Sequence, residues 1–200
     1  MKKSKRFYPI LTGLGLLLAG LVVLYVVFRS WQKSKAMEQD KETDLEPIPM
    51  ETSEDTIIVN AYKVTKEACE SSEVVNDNFV RFLTAQAMHE SDVYSSEIYA
   101  DCNNAYGMRQ PSHRQTTSKG ESNTHASYAT YASLADSVRD RILWQQFNSL
   151  PVEYPNMDKE SVVSFVRSIK DKSYFTDNFL TYQNAVYAHL RRLNNILNRG

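Results

Sequence analysis

Residues 7–28 contain no charged side chain, and about 20 apolar residues are enough to cross a bilayer as a helix. This run constrains the chain before any other feature, because 22 consecutive uncharged residues of this composition do not belong at a water-exposed N-terminus. No Ala-x-Ala site follows it, and Val27-Phe28-Arg29-Ser30-Trp31 is a poor cleavage site, so the run reads as an uncleaved signal anchor. Tyr8, Tyr25 and Trp31 sit near its ends, where aromatic rings settle at the membrane interface. Lys2, Lys3, Lys5 and Arg6 precede it while Arg29, Lys33 and Lys35 follow, which tilts the orientation slightly towards a cytoplasmic N-terminus.

The charge distribution divides the rest. Residues 1–35 carry seven Lys or Arg and no acid, whereas residues 36–60 carry eight acids against Lys41 alone. We therefore expect a basic cytoplasmic segment at 1–6, a transmembrane anchor at 7–28, a charged tether with Pro47 and Pro49 at 29–58, and a folded domain at 59–200. The formal net charge of −1 gives no case for nucleic-acid binding.

The folded part reads as mainly helical. Periodicity predicts helices at 61–72, from an Asn76 cap to Met88 or Glu90, at 95–101, at 134–147 through Leu134, Val138, Ile142, Leu143 and Trp144, after an Asp158 cap, and from Thr176 or Asp177 onward. The last carries the clearest stripe, Phe179, Tyr182, Val186, Leu190, Leu193 and Ile196. Residues 106–127 are polar and lack a helical period.

Phe79, Leu83 and Ala87 recur at helical spacing, and Glu90 continues their face, which places it beside the core. A carboxyl held against apolar neighbours is disfavoured in its charged form, so its pKa rises towards neutrality, as a general acid requires. His89-Glu90 is not half of a helix-borne zinc site, since position 93 is Val where a second His is needed, and His113 and His125 lie far along the chain. No metal or other cofactor is expected.

Ala85-Gln86-Ala87, Glu90-Ser91, and then Asn103-Asn104-Ala105-Tyr106-Gly107-Met108, with 17 residues from Glu90 to Gly107, resemble the signature of the glucosaminidase family, glycoside hydrolase family 73. Residues 128–137 are similar to that family's Tyr, Ser and acidic segment, and Ser173-Tyr174-Phe175-Thr176-Asp177 resembles the turn that opens its last helix. The resemblance covers roughly residues 61 to 200. It implies a lysozyme-like α+β fold, mainly α, with a small hairpin lobe over the cleft.

It also implies a peptidoglycan hydrolase, an endo-β-N-acetylglucosaminidase acting on the glycan between N-acetylglucosamine and N-acetylmuramic acid. Glu90 is then the proton donor. Many members place a second Glu in the hairpin lobe, where Glu121 is the carboxylate present in the short polar interval, with Glu97 and Asp101 as fallbacks. Without one, the substrate's own 2-acetamido oxygen can attack the anomeric carbon, and Tyr131 could orient that group or the water. Ser91, Asn104, Tyr106 and Tyr128 are the expected substrate contacts, each with a packing role as the alternative. Cys69 and Cys102 form a disulfide or remain two buried thiols; both readings stay open. The expected partners are peptidoglycan strands, the membrane through the N-terminal helix, and an envelope protein complex, with the domain outside the cytoplasmic membrane. A glycan-binding scaffold without turnover and a lytic transglycosylase are the competing readings.

Overall fold

The computed structural model describes residues 53–199. The anchor at 7–28, the basic segment at 1–6 and most of the tether lie outside the described residues. Among the described residues no helix is long and apolar enough to cross a membrane.

Among the described residues six helices and one small hairpin follow in chain order: α1 (Ser53–Glu70), α2 (Asp77–Glu90), α3 (Glu97–Cys102), β1 (Gly120–Glu121), β2 (Ala129–Thr130), α4 (Leu134–Phe147), α5 (Lys159–Lys170) and α6 (Phe179–Leu197). The mainly helical class with a small sheet is as expected. β1 and β2 pair antiparallel with Gly120 opposite Thr130 and Glu121 opposite Ala129, and a bridge between Arg109 and Tyr128 extends the hairpin.

α2 is the central helix, packed against α1 and α6. Phe79, Val80 and every residue from Phe82 to Met88 are buried, so this helix has no solvent face along its middle. α5 adds Val162, Phe165, Val166 and Ile169, and α6 adds Val186, Leu190, Leu193 and Ile196. Each large apolar side chain buried in this way contributes about 1.5–3 kcal/mol relative to exposure. Phe82 anchors the aromatic centre, with Phe165 stacked at 5.4 Å and Tyr154 edge-on at 5.0 Å.

α1 starts eight residues ahead of the expected Ala61, and this corrects the tether, which was drawn to residue 58. Acidic composition concealed the helix. Glu54 and Asp55 pair with Arg192 of α6 at 2.7 and 3.2 Å, and Ile58 is completely buried, so the acids belong to a packed first turn. α6 begins at Phe179, slightly later than expected, because Asn178 caps it by accepting from Leu180 and Thr181.

The start of α2 is fixed by Asn76, whose Oδ1 accepts from Phe79 N at 2.8 Å while its Nδ2 donates to Tyr154 O at 3.3 Å. One side chain thus caps the helix and ties down the segment before α5. Replacing it, Asn76→Ala, should lower stability by about 1–2 kcal/mol. Urea unfolding checks this, and an unchanged midpoint would mean that water replaces both contacts at no cost.

Candidate active site

Glu90 is the last residue of α2, and the chain turns away from it at once. Asp92, Val93 and Tyr94 all occupy the left-handed region, with φ of 48°, 52° and 65°. None is glycine, so each is held there at a cost of about 1–2 kcal/mol. Ser91 holds the turn: its Oγ donates to Ala87 O at 2.6 Å and accepts from Tyr94 N at 2.9 Å, and its carbonyl accepts from Ser95 N and Ser96 N, each at 2.9 Å. Ser91 is fully buried, so its observed work is to shape the helix end rather than to face a ligand.

The Glu90 carboxyl opens into a cleft of about 730 Å³. Aromatic side chains of Tyr128, Trp144, Phe147, Tyr174 and Phe175 line it, and the acids in its wall are Glu90 and Asp177. Arg109, Arg114 and Lys172 supply basic groups. Gly107 sits against the acid: its φ is +58°, and a Cβ built there would lie 3.7 Å from Glu90 Oε2. The turn needs glycine's conformational freedom, and the absent side chain leaves that oxygen facing open space.

Tyr182 of α6 donates from its hydroxyl to Glu90 Oε1 at 2.5 Å, and Gln86 Nε2 donates to the same hydroxyl oxygen at 3.0 Å. Phe175 stacks on the Tyr182 ring at 3.8 Å and His89 meets it edge-on at 4.8 Å, which fixes the hydroxyl in place. Behind Gln86 lies Arg141, completely buried, donating from Nε to Gln86 Oε1 at 3.1 Å and from Nη1 to Gln145 Oε1 at 2.7 Å. Burial pushes Glu90 up to about 7, and the nearby charge of Asp177 adds to the rise, while the Tyr182 hydrogen bond and the Arg141 charge oppose it. A carboxylic acid that is half protonated near neutrality and opens to a cleft can give its proton to a bound oxygen.

The other expected site residues fall in different places. Tyr128 lines the cleft, with the Arg109 guanidinium 5.1 Å above its ring. Asn104 is buried and staples the loop that carries Gly107: its Nδ2 donates to Met108 O at 2.8 Å and Ala129 O at 2.9 Å, and its Oδ1 accepts from Met108 N at 3.0 Å. Tyr106 is buried, and its carbonyl accepts from the Tyr174 hydroxyl at 2.7 Å. Tyr131 is buried and donates to Asp140 Oδ2 at 2.8 Å.

Glu121 stands exposed at the end of β1, where its Oε1 accepts from Ser127 N at 2.6 Å. It lines a separate pocket of about 520 Å³ with Asp101 and Lys119 and is not brought together with Glu90. Asp101 pairs with His125 at 2.9 Å, and Glu97 lies exposed in the first turn of α3. Cys69 and Cys102 are both buried free thiols, so the structure contains no tie between them; burial pushes Cys69 up to about 12. Among the described residues no group of three or more His, Cys, Asp or Glu side chains could hold a metal ion.

Four parts of the site were not singled out from sequence: Asp177, Tyr182, Gln86 and Arg141. Asp177 stood in the quoted turn without a role, and Tyr182 stood in an apolar stripe that reads as core. Gln86 stood in the quoted Ala85-Gln86-Ala87 stretch without a role, and Arg141 carried no signal beyond a polar residue at a position that helical spacing turns inward.

Glu90 binds its proton more tightly folded than unfolded, so its ionisation works against the fold. Its contribution is fully present below about pH 4.5 and is lost as pH rises through about 7, a change of up to about 3 kcal/mol. Glu90→Gln, which cannot ionise, should therefore gain stability on the wild type across that window and keep the advantage above it. Urea unfolding of both proteins across the pH range checks this, and parallel stability curves would mean that the carboxyl ionises as freely in the fold as in water.

A family profile described as glucosaminidase, mannosyl-glycoprotein endo-beta-N-acetylglucosaminidase, matches residues 66–195. Among solved structures, a chain of a type VI secretion system effector-immunity complex from Pseudomonas protegens is 16% identical with a TM-score of 0.52, covering 70% of this chain and 93% of that one. The catalytic domain of the autolysin Auto from Listeria monocytogenes is 17% identical with a TM-score of 0.47, covering 82% of this chain and 96% of that one. No curated protein sequence matches the chain significantly. At these identities the first structure is a likeness of fold.

Proposed function

The chain belongs to the glucosaminidase family of glycoside hydrolases, and from that membership we propose that it is a membrane-anchored peptidoglycan hydrolase, an endo-β-N-acetylglucosaminidase. The observation that carries the reading is the Glu90 carboxyl, raised to about 7 by burial at the end of α2 and open to an aromatic-walled cleft. Pyranose rings pack their C–H faces on aromatic side chains, and the acid opens into the same space.

In this reading Glu90 gives its proton to the glycosidic oxygen between N-acetylglucosamine and N-acetylmuramic acid as the bond to the anomeric carbon breaks. Glu121 lies in a different pocket, which favours the route in which the substrate's 2-acetamido oxygen attacks the anomeric carbon and water later opens the cyclic intermediate. Asp177, in the same cleft wall as Glu90, is the carboxylate available to accept from the acetamide N–H or to take the proton of that water. Tyr128 offers a ring face to the sugar, while Asn104, Tyr106 and Ser91 act by holding the loop and the helix end. The uncharged run at 7–28 supports an anchor with the domain on the outer side of the cytoplasmic membrane, where the polymer is found. A tethered activity of this kind suits local opening of the wall beside an envelope protein complex.

Purified peptidoglycan digested with the full chain should yield reducing N-acetylglucosamine ends, and Glu90→Gln should lower their rate of release by about a hundredfold or more. Mass spectrometry of the muropeptides distinguishes the outcomes. Anhydro-muramic ends would make the protein a lytic transglycosylase, and no product from a folded protein that still pellets with the polymer would make it a binding scaffold.

A further inference from the structure

Arg141 is always charged, completely buried, and in no ion pair among the described residues. Its partners are amide oxygens, Gln86 Oε1 and Gln145 Oε1, and the rings of Trp144 and Tyr174, each centred 4.8 Å from the guanidinium carbon. An interior cation held this way destabilises a fold, so its position calls for a use. Building on the reading of Glu90 as the acid, we propose that Arg141 is its positioning residue. Acting through Gln86 and Tyr182, it dictates which oxygen of Glu90 carries the proton and compensates the carboxylate left after that proton has gone.

The direction of every hydrogen bond in the chain follows from its first member. A guanidinium only donates, so the Gln86 amide must turn its oxygen to Arg141 and its NH₂ to Tyr182. That NH₂ occupies the Tyr182 oxygen as an acceptor, and the single phenolic proton is left to go to Glu90 Oε1. Oε1 is thereby an acceptor, and the acid proton resides on Oε2, the oxygen beside Gly107 in the cleft. When the proton passes from Oε2 to the glycosidic oxygen, the C–O bond electrons stay with the leaving sugar and Glu90 becomes an anion. Tyr182 already donates to it, and the Arg141 charge opposes its own.

The other groups around Glu90 act differently. Asp177, ahead of α6, opposes ionisation, and Tyr174 and Tyr182 stay protonated because burial raises both. His89, on the same helix, is lowered by burial. Of the basic groups in the cleft wall, Arg114 is committed to Asp140 at 2.8 Å, whereas Arg109 and Lys172 lie in the exposed wall, where solvent screens them.

The test is the titration of Glu90, read by difference infrared spectroscopy between each full-length protein and its Glu90→Gln counterpart, together with the alkaline limb of the pH–rate profile on peptidoglycan. Arg141→Met removes the charge, and Gln86→Glu counters it with a carboxylate of the same size that also competes for the Tyr182 hydroxyl. In either variant both readouts should move upward by about one pH unit or more. Arg141→Lys keeps the charge and should return both to within a few tenths of the wild type. If Arg141→Met does not fold, Gln86→Glu decides alone. A lower rate with an unmoved titration in Gln86→Glu would overturn the inference and leave Arg141 a packing residue. Full activity in Glu90→Gln would instead sink the reading of the acid itself, while the infrared titration would still report on the relay.

Discussion

A guanidinium cannot shed its proton to escape burial, so wherever Arg141 goes, the surrounding side chains must accommodate a charge. Gln86 from α2 and Gln145 from α4 present amide oxygens to it, Trp144 and Tyr174 cover it with ring faces, and Gln145 is itself fixed by donating to Pro151 O at 2.8 Å. These contacts draw on α2, α4 and the segments on either side of α5. Through Tyr182 they reach α6, and so one buried cation sets the register of the helices that meet behind the cleft. A slide of α4 by one turn would strand it without acceptors, a penalty of several kcal/mol that apolar repacking alone would not impose.

The second constraint is local. α2 ends at Glu90, where three successive residues without a glycine among them turn left-handed, and Ser91 helps to hold this unfavourable turn by satisfying its polar groups from the buried side. On the facing loop Asn104 does the same for the segment around Gly107. Two polar side chains in a motif that reads as sugar-binding thus serve as staples on either side of the acid. They hold its Oε2 against a position that bears no side chain.

Much of the scaffold was legible. The Asn76 and Asp158 caps, the apolar faces of α2 and α5 and the stripe of α6 follow from residue type and spacing, and Glu90 could be placed beside the core from periodicity alone. The start of α1 is not legible because its first turn is acidic and the Arg192 that pairs with it lies across the fold. α4 was the least legible helix. Its expected stripe included Leu134, Leu143 and Trp144, which are only partly buried, whereas its interior face carries Ser137, Asp140, Arg141 and Gln145. Binary patterning assumes that polar residues face water, and it fails where a helix contributes a hydrogen-bonded network to a site. The hairpin was equally opaque, since two-residue strands leave no alternation to detect.

The contrast between two buried carboxyls explains why the acid stands at Glu90 and not fifty residues later. Asp140 is buried as deeply as any residue in the domain, and burial alone would push it up, but Arg114 donates twice to it at 2.8 Å and Tyr131 once at 2.8 Å, and it is held below the usual carboxylate range. Glu90 receives a single hydroxyl, and its cation stands two side chains away, so burial wins and its pKa is raised to about 7. Environment has driven the two groups in opposite directions, the arrangement that separates a structural anion from a proton donor. It also assigns the two arginines different tasks. Arg114 neutralises Asp140 at contact, while Arg141 at longer range leaves Glu90 able to hold its proton near neutrality and still tempers the cost of its ionisation.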